Sequence, residues 1–164
     1  MKIAILYICT GKYDIFWKDF YLSSEKYFMN DVEKHYFVFT DSDNIYNESM
    51  DNKIHKVFQN NLGWPNNTLK RYSVFLNIED QLKKFDYIYF LNANLLFLKP
   101  INKEDFLPLN NKKLVACLHP GYYNKDRKKF TFENNPNSSA FMSKNQGLHY
   151  FAGGINGGKS PDFI

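Results

Sequence analysis

Three short segments carry the side chains best suited to chemistry. Asn92 and Asn94, two residues apart after an apolar run, project to the same side of an extended chain. Carboxylates at that spacing suit a hard divalent cation. Two neutral amides coordinate one poorly, but they can donate hydrogen bonds to phosphate or sugar oxygens. Asn92-Ala93-Asn94 also serves as an ordinary strand-end turn. Gly153, Gly154, Gly157 and Gly158 place four glycines in six residues, which reads either as a flexible turn or as backbone that a ligand approaches closely. No dinucleotide or Walker-type pattern surrounds them, and Lys159 is a phosphate partner only if it faces the site. His119, before Pro120-Gly121, can bind a sugar hydroxyl, act as acid or base, or simply hold a turn. Trp64 in an Asn-rich loop is a sugar-stacking platform or a loop anchor. Arg71, on the helix that follows, pairs with phosphate or with a surface carboxylate.

These residues need a scaffold, and the hydrophobic pattern supplies one. Residues 3–9 form a continuous apolar run, as expected of a parallel strand covered on both faces, and end at Thr10-Gly11-Lys12. A helical period through Phe16, Phe20, Tyr27 and Phe28 predicts a helix over 13–30. A second strand follows at 35–40, which completes a βαβ unit and implies a parallel sheet. A short strand is expected at 54–58 and a helix from Thr68 to about Lys84. Further strands are expected at 87–91 and 113–118, and a long polar loop at 124–146. The fold class is α/β, a mostly parallel sheet with helices on both faces, in one domain over 1–164. Ligands of such sheets bind beyond the carboxyl ends of the strands. Thr10-Gly11-Lys12-Tyr13, Asp41, Asn92-Ala93-Asn94 and His119-Pro120-Gly121 all fall at such ends.

Composition narrows the function. Aromatic residues reach 18%, with 16 Phe and 12 Tyr, which suits a core and also sites that stack on flat rings or sugar faces. The net charge of +4 does not gather into a stripe. Its densest patch, 125–129, is interrupted by Asp126 and reads as a solvated loop or as help in holding an anion. No nucleic-acid-binding motif accompanies the charge. Cys9 and Cys117 lie in apolar runs as small hydrophobes, without metal-ligand spacing, so a reducing compartment is the default. The apolar N-terminal segment is too short for a signal peptide or membrane anchor. These features predict a soluble, cytoplasmic protein with at most peripheral contact at the inner membrane face.

Taken in order, Val38-Phe39-Thr40-Asp41, Asn92-Ala93-Asn94 within 87–97, His119-Pro120-Gly121-Tyr122-Tyr123, Phe130-Thr131-Phe132-Glu133 and the run 150–158 resemble glycosyltransferase family six. That family contains the mammalian blood-group A and B transferases, the α-1,3-galactosyltransferases and bacterial relatives. The resemblance covers the whole chain and implies a GT-A, Rossmann-like fold. It implies retaining transfer of N-acetylgalactosamine or galactose from a UDP donor, in α-1,3 linkage, to a galactoside that is often fucosylated at its 2-position. Carried over by position, Ile8, Cys9, Thr10 and Tyr13 surround the uridine, and Trp64 and Arg71 lie near the donor. Asn92, Ala93 and Asn94 stand where an Asp-x-Asp would bind metal. This exchange resembles the bacterial branch and implies activity without a metal or other cofactor, with Lys12, Arg71 and loop 125–129 offsetting the diphosphate charge. Ala152 and Gly154 match the two positions that select the donor sugar, with Gly153 between them as a further donor contact; small residues there leave room for an N-acetyl group and favour N-acetylgalactosamine over galactose. His119, Gly121 and Thr131 match acceptor contacts. The family's catalytic Glu belongs to a Trp-His-Asp-Glu-Ser segment expected beyond Ile164, so the chain corresponds to the N-terminal two-thirds of the family domain. No catalytic residue is assigned within it. Without that segment, apolar surface is expected to be uncovered. The alternatives are a donor-binding remnant without turnover and, as a third reading from the aromatics, a carbohydrate-binding module.

Overall fold

Residues 3–7, all fully buried, form the middle of strand β1 (Lys2–Ile8) in a computed structural model that describes all 164 residues. The other strands are β2 (Glu33–Thr40), β3 (Ile54–Phe58), β4 (Tyr87–Leu91), β5 (Leu114–Leu118) and β6 (Phe151–Lys159). β1 pairs in parallel with β2 and with β4, and β2 in parallel with β3. β6 runs antiparallel to β4, and the order across the sheet is β3-β2-β1-β4-β6-β5.

The alternation along β1 explains why its run is apolar throughout. Ile3, Ile5 and Tyr7 pack with Trp17, Phe20 and Tyr21 of helix α1 (Trp17–Tyr27) on one face. Ala4 and Leu6 pack on the other with Phe37, Phe39 and Phe90, beneath Val74 and Phe75. Each large side chain so buried contributes roughly 2 kcal/mol. The expected helix over 13–30 begins instead as a 3-10 turn, Gly11–Phe16, and becomes α-helical only at Trp17. Gly11, at φ +58°, donates its N–H to Asp41 Oδ1 at 2.7 Å, which fixes this turn to the end of β2.

The expected helix over 68–84 is three short ones: α2 (Asn66–Leu69), α3 (Arg71–Leu76) and α4 (Glu79–Leu82). Lys70 and Ile78 leave helical geometry between them, and Ile78 is drawn into the core at φ −122°. Tertiary packing there overrides a sequence of moderate helix propensity. Two further short helices, α5 (Lys103–Phe106) and α6 (Ser160–Phe163), were not anticipated. The first carries a reciprocal Asn102–Asp105 capping box.

The glycine run is a strand and not a turn. Gly157 lies opposite Tyr89, and a Cβ there would stand 2.4 Å from Ile88 O and 2.9 Å from Tyr89 Cα. Only glycine allows β6 to lie so close to β4. The apolar run at 113–118 also departs from expectation. β5 is an edge strand, Leu114 and Leu118 are exposed, and Cys117 is exposed where a buried small hydrophobe was expected. Cys9 is buried in the core.

The chain divides into two compact units. The first is Met1–Val115 with Gly154–Ile164, and the second is Ala116–Gly153. The stretch 124–146 holds one 3-10 turn, Arg127–Lys129, begun by Asp126, whose side chain accepts from Lys128 N at 2.8 Å. No helix is long and apolar enough to cross a membrane.

Candidate functional site

A cleft of about 560 Å³ opens in the first unit at the carboxyl ends of β1 and β4. The turn after β1 contributes Thr10, Gly11, Lys12 and Tyr13, and β1 itself contributes Ile8. The loop before α2 contributes Asn61, Gly63 and Trp64, and the helices after it contribute Asn67, Thr68 and Arg71. Phe90, Asn92 and Ala93 close the cleft from β4. Eight candidate residues from the sequence therefore meet, Ile8, Thr10, Lys12, Tyr13, Trp64, Arg71, Asn92 and Ala93, while Asn94 is not among the lining residues. Trp64 is 90% exposed at the rim, joined to Pro65 by a cis peptide bond.

Backbone bonds hold the Asn92-Ala93-Asn94 turn in place. Asn92 N donates to Gly154 O at 2.9 Å, and Leu95 N donates to Asn92 O at 3.1 Å. Ala93 O accepts from the Tyr7 hydroxyl at 2.9 Å, and burial pushes that phenol's pKa upward. The two asparagine side chains meet across this turn. Asn92 Nδ2 donates to Asn94 Oδ1 at 2.7 Å. Gly154 lies against this pair, since a Cβ on it would sit 3.3 Å from Asn92 Cβ.

The electrostatics of the cleft favour an anion. Its charged lining residues are Lys12 and Arg71, and no carboxylate lines it. The Arg71 guanidinium stands 4.4 Å over the Phe90 ring while its Nε donates to Thr68 O at 3.0 Å. Burial lowers the Arg71 pKa, yet a guanidinium stays protonated. The donor set does not fit a hard divalent cation. Two amides bonded to each other replace carboxylates, and no group of three or more His, Cys, Asp or Glu could hold a metal ion.

Cys9 does not line the cleft. Its thiol is in the core, and its backbone links strand ends through Cys9 N to Phe39 O at 2.9 Å and Thr40 Oγ1 to Cys9 O at 2.9 Å. Burial pushes that thiol from 9.0 up to about 12. Asn61, Asn67, Thr68 and Phe90 line the cleft without having been singled out. Phe90 was legible as a strand residue, but nothing in its spacing marked it as the platform for Arg71.

The second unit gathers the acceptor candidates around Tyr150. Thr131 Oγ1 lies 2.7 Å from the Tyr150 hydroxyl, and His119 N donates to Tyr150 O at 2.8 Å. The Tyr150 ring packs against Tyr122, Phe132, Phe130 and His119, with centroids 4.6 to 5.8 Å away. Gly121 N donates to His119 Nδ1 at 3.0 Å, so the neutral ring carries its proton on Nε2, available to a hydroxyl oxygen. Arg127 donates to Gln146 O from Nε and to Ser143 O from a terminal nitrogen, and so braces its loop. Ala152 and Gly153 also belong to this unit, and a Cβ on Gly153 would meet nothing within 4 Å.

Comparison with known proteins decides the family. Residues 1–164 match the family described as glycosyltransferase family 6. The chain belongs to glycosyltransferase family 6. The family is of the GT-A type, in keeping with the mostly parallel sheet. The family 6 chain is 38% identical over 164 residues to the O-antigen biosynthesis glycosyltransferase WbnI of Escherichia coli, covering 99% of this chain and 68% of that protein. It is 26% identical over 166 residues to the human globoside alpha-1,3-N-acetylgalactosaminyltransferase 1, covering 97% of this chain and 46% of that one. It is also 26% identical to the histo-blood group ABO system transferase 1 of Rattus norvegicus, over 95% of this chain and 45% of the relative. The family 6 chain thus spans about half the length of these mammalian relatives. Family membership implies a nucleotide-sugar donor and a glycan acceptor.

Proposed function

We propose that the cleft holds a UDP-linked N-acetylgalactosamine or galactose without a divalent cation. The activity proposed for the whole protein is retaining α-1,3 transfer to a galactoside, often 2-fucosylated. The observation that carries this reading is the lining itself: two cations, the amides of Asn61, Asn67 and Asn92, and no carboxylate. Lys12 and Arg71 offset the diphosphate charge, and amides donate to its oxygens where aspartates without a metal would repel them. The name of the globoside relative supports the sugar and the linkage. The small residues Ala152 and Gly154 favour the N-acetylated sugar over galactose.

A retaining transfer needs a nucleophile or charge-stabilising group on the reacting face of the sugar. Because no carboxylate lines the cleft, that role is assigned to no residue of the chain. The same observation favours a second reading, in which these residues bind the donor without turning it over. The two readings separate in a radiolabel transfer assay in EDTA, with UDP-N-acetylgalactosamine or UDP-galactose and a 2′-fucosyl-galactoside acceptor. Transfer from the N-acetylated donor is the expected outcome for an active chain. Binding without transfer selects the second reading, and equal use of both donors would remove the role given to Ala152 and Gly154.

A further inference from the structure

We propose that Asn67 is a positioning residue that commits the Thr10 hydroxyl to donating its proton into the cleft and holds the Trp64 loop against the end of β1. The inference rests on the nucleotide-sugar reading of the cleft and adds to it how the nucleotide end is organised. Asn67 stands at the start of α2, and its amide makes three bonds. Oδ1 accepts from Leu62 N at 3.0 Å. Nδ2 donates to Asn61 Oδ1 at 3.0 Å and to Thr10 Oγ1 at 3.2 Å, across 57 residues of chain.

The orientation of this amide is forced. A backbone N–H can only donate, so the face toward Leu62 must be the carbonyl oxygen, and the face toward Thr10 must be the NH₂. Thr10 Oγ1 is therefore an acceptor toward Asn67, and its single proton turns elsewhere. Thr10 lines the cleft, although it is only 4% exposed, so that proton has the cleft to turn to. There it serves an acceptor oxygen of a bound nucleotide.

The same clasp sets the rim. Asn61 Oδ1 also accepts from Gly63 N at 2.9 Å, and Asn67 N donates to Gly63 O at 2.9 Å, which closes the loop that carries Trp64. On the other side, a Cβ on Gly11 would stand 2.6 Å from Asn61 Nδ2. A side chain at position 11 would displace the Asn61 amide, and the φ of +58° there itself favours glycine.

The test is a double-mutant cycle on UDP affinity, measured by titration calorimetry on the 164-residue chain, with thermal melting recorded for each variant. Asn67→Ala and Thr10→Val should each weaken UDP binding about tenfold, the effect of one lost hydrogen bond to a ligand. The double variant should bind no worse than either single one, and Thr10→Ser should stay within about twofold of the unsubstituted protein. Purely structural damage would lower the melting temperature, give multiplicative losses and show no rescue by serine. Full UDP affinity in Asn67→Ala, or multiplicative effects, would overturn the inference. Failure of the unsubstituted chain to bind UDP at all would instead overturn the nucleotide-sugar reading on which it rests.

Discussion

The two units of this chain are held together in different ways. The first is built on a sheet whose both faces are packed, with Phe20 and Trp17 on one side and Phe75 and Phe39 on the other, all essentially free of solvent. In the second, Ala116–Gly153, no residue is buried to that degree, and the fold depends on turns, on the Arg127 brace and on the ring and hydroxyl of Tyr150. Apolar burial gives the first unit a rigid frame for its cleft. The second presents its candidate sugar contacts from a small aromatic cluster, where single polar bonds fix orientation. A local opening of the second unit exposes little that was not already exposed, so it should be the less protected of the two.

The largest expected contrast lies in the two thiols. Cys117 is exposed and should react with a disulfide reagent at the rate of a free thiol. Cys9 is fully buried, and burial also holds its pKa at about 12, so thiolate is scarce at pH 8. Its labelling should be slower by roughly a thousandfold or more, since it awaits substantial unfolding. Similar rates for both cysteines would break the comparison.

Next in size is Gly157→Ala. The added Cβ meets backbone, Ile88 O at 2.4 Å, which cannot rotate away. The substitution should cost about 3 kcal/mol in a denaturant melt. A loss near zero would mean that β6 shifts freely along β4. The smallest effect should come from Tyr150→Phe, which keeps the ring packing and removes only the bond to Thr131. It should cost about 1 kcal/mol, with amide-exchange changes confined to 116–153. Spread of those changes into β1 or β2 would show that the two units do not open separately.

Much of the frame was legible because it follows from burial. β1, β2, β3 and β4 lie within two residues of their expected limits; β1 and β4, buried along nearly their whole length, leave continuous apolar runs. β6 was misread for the opposite reason. Its close approach to β4 requires residues without side chains, and these leave no periodic signal. β5 showed an apolar run but sits at the sheet edge, where composition does not ensure cover. In the cleft, residues at strand ends were legible. Asn67 was not, because an amide in an Asn-rich loop looks like ordinary loop polarity until the fold brings it to Thr10. Tyr150 was likewise hidden, as its contacts reach back 19 residues to Thr131 through irregular chain.

We propose that the cleft takes a nucleoside diphosphate by its own cations and amides. UDP binding measured by calorimetry, first in EDTA and then with excess Mn²⁺, tests it most directly. Binding in EDTA is expected, with an affinity that Mn²⁺ leaves unchanged. Binding that appears only with the metal would contradict it.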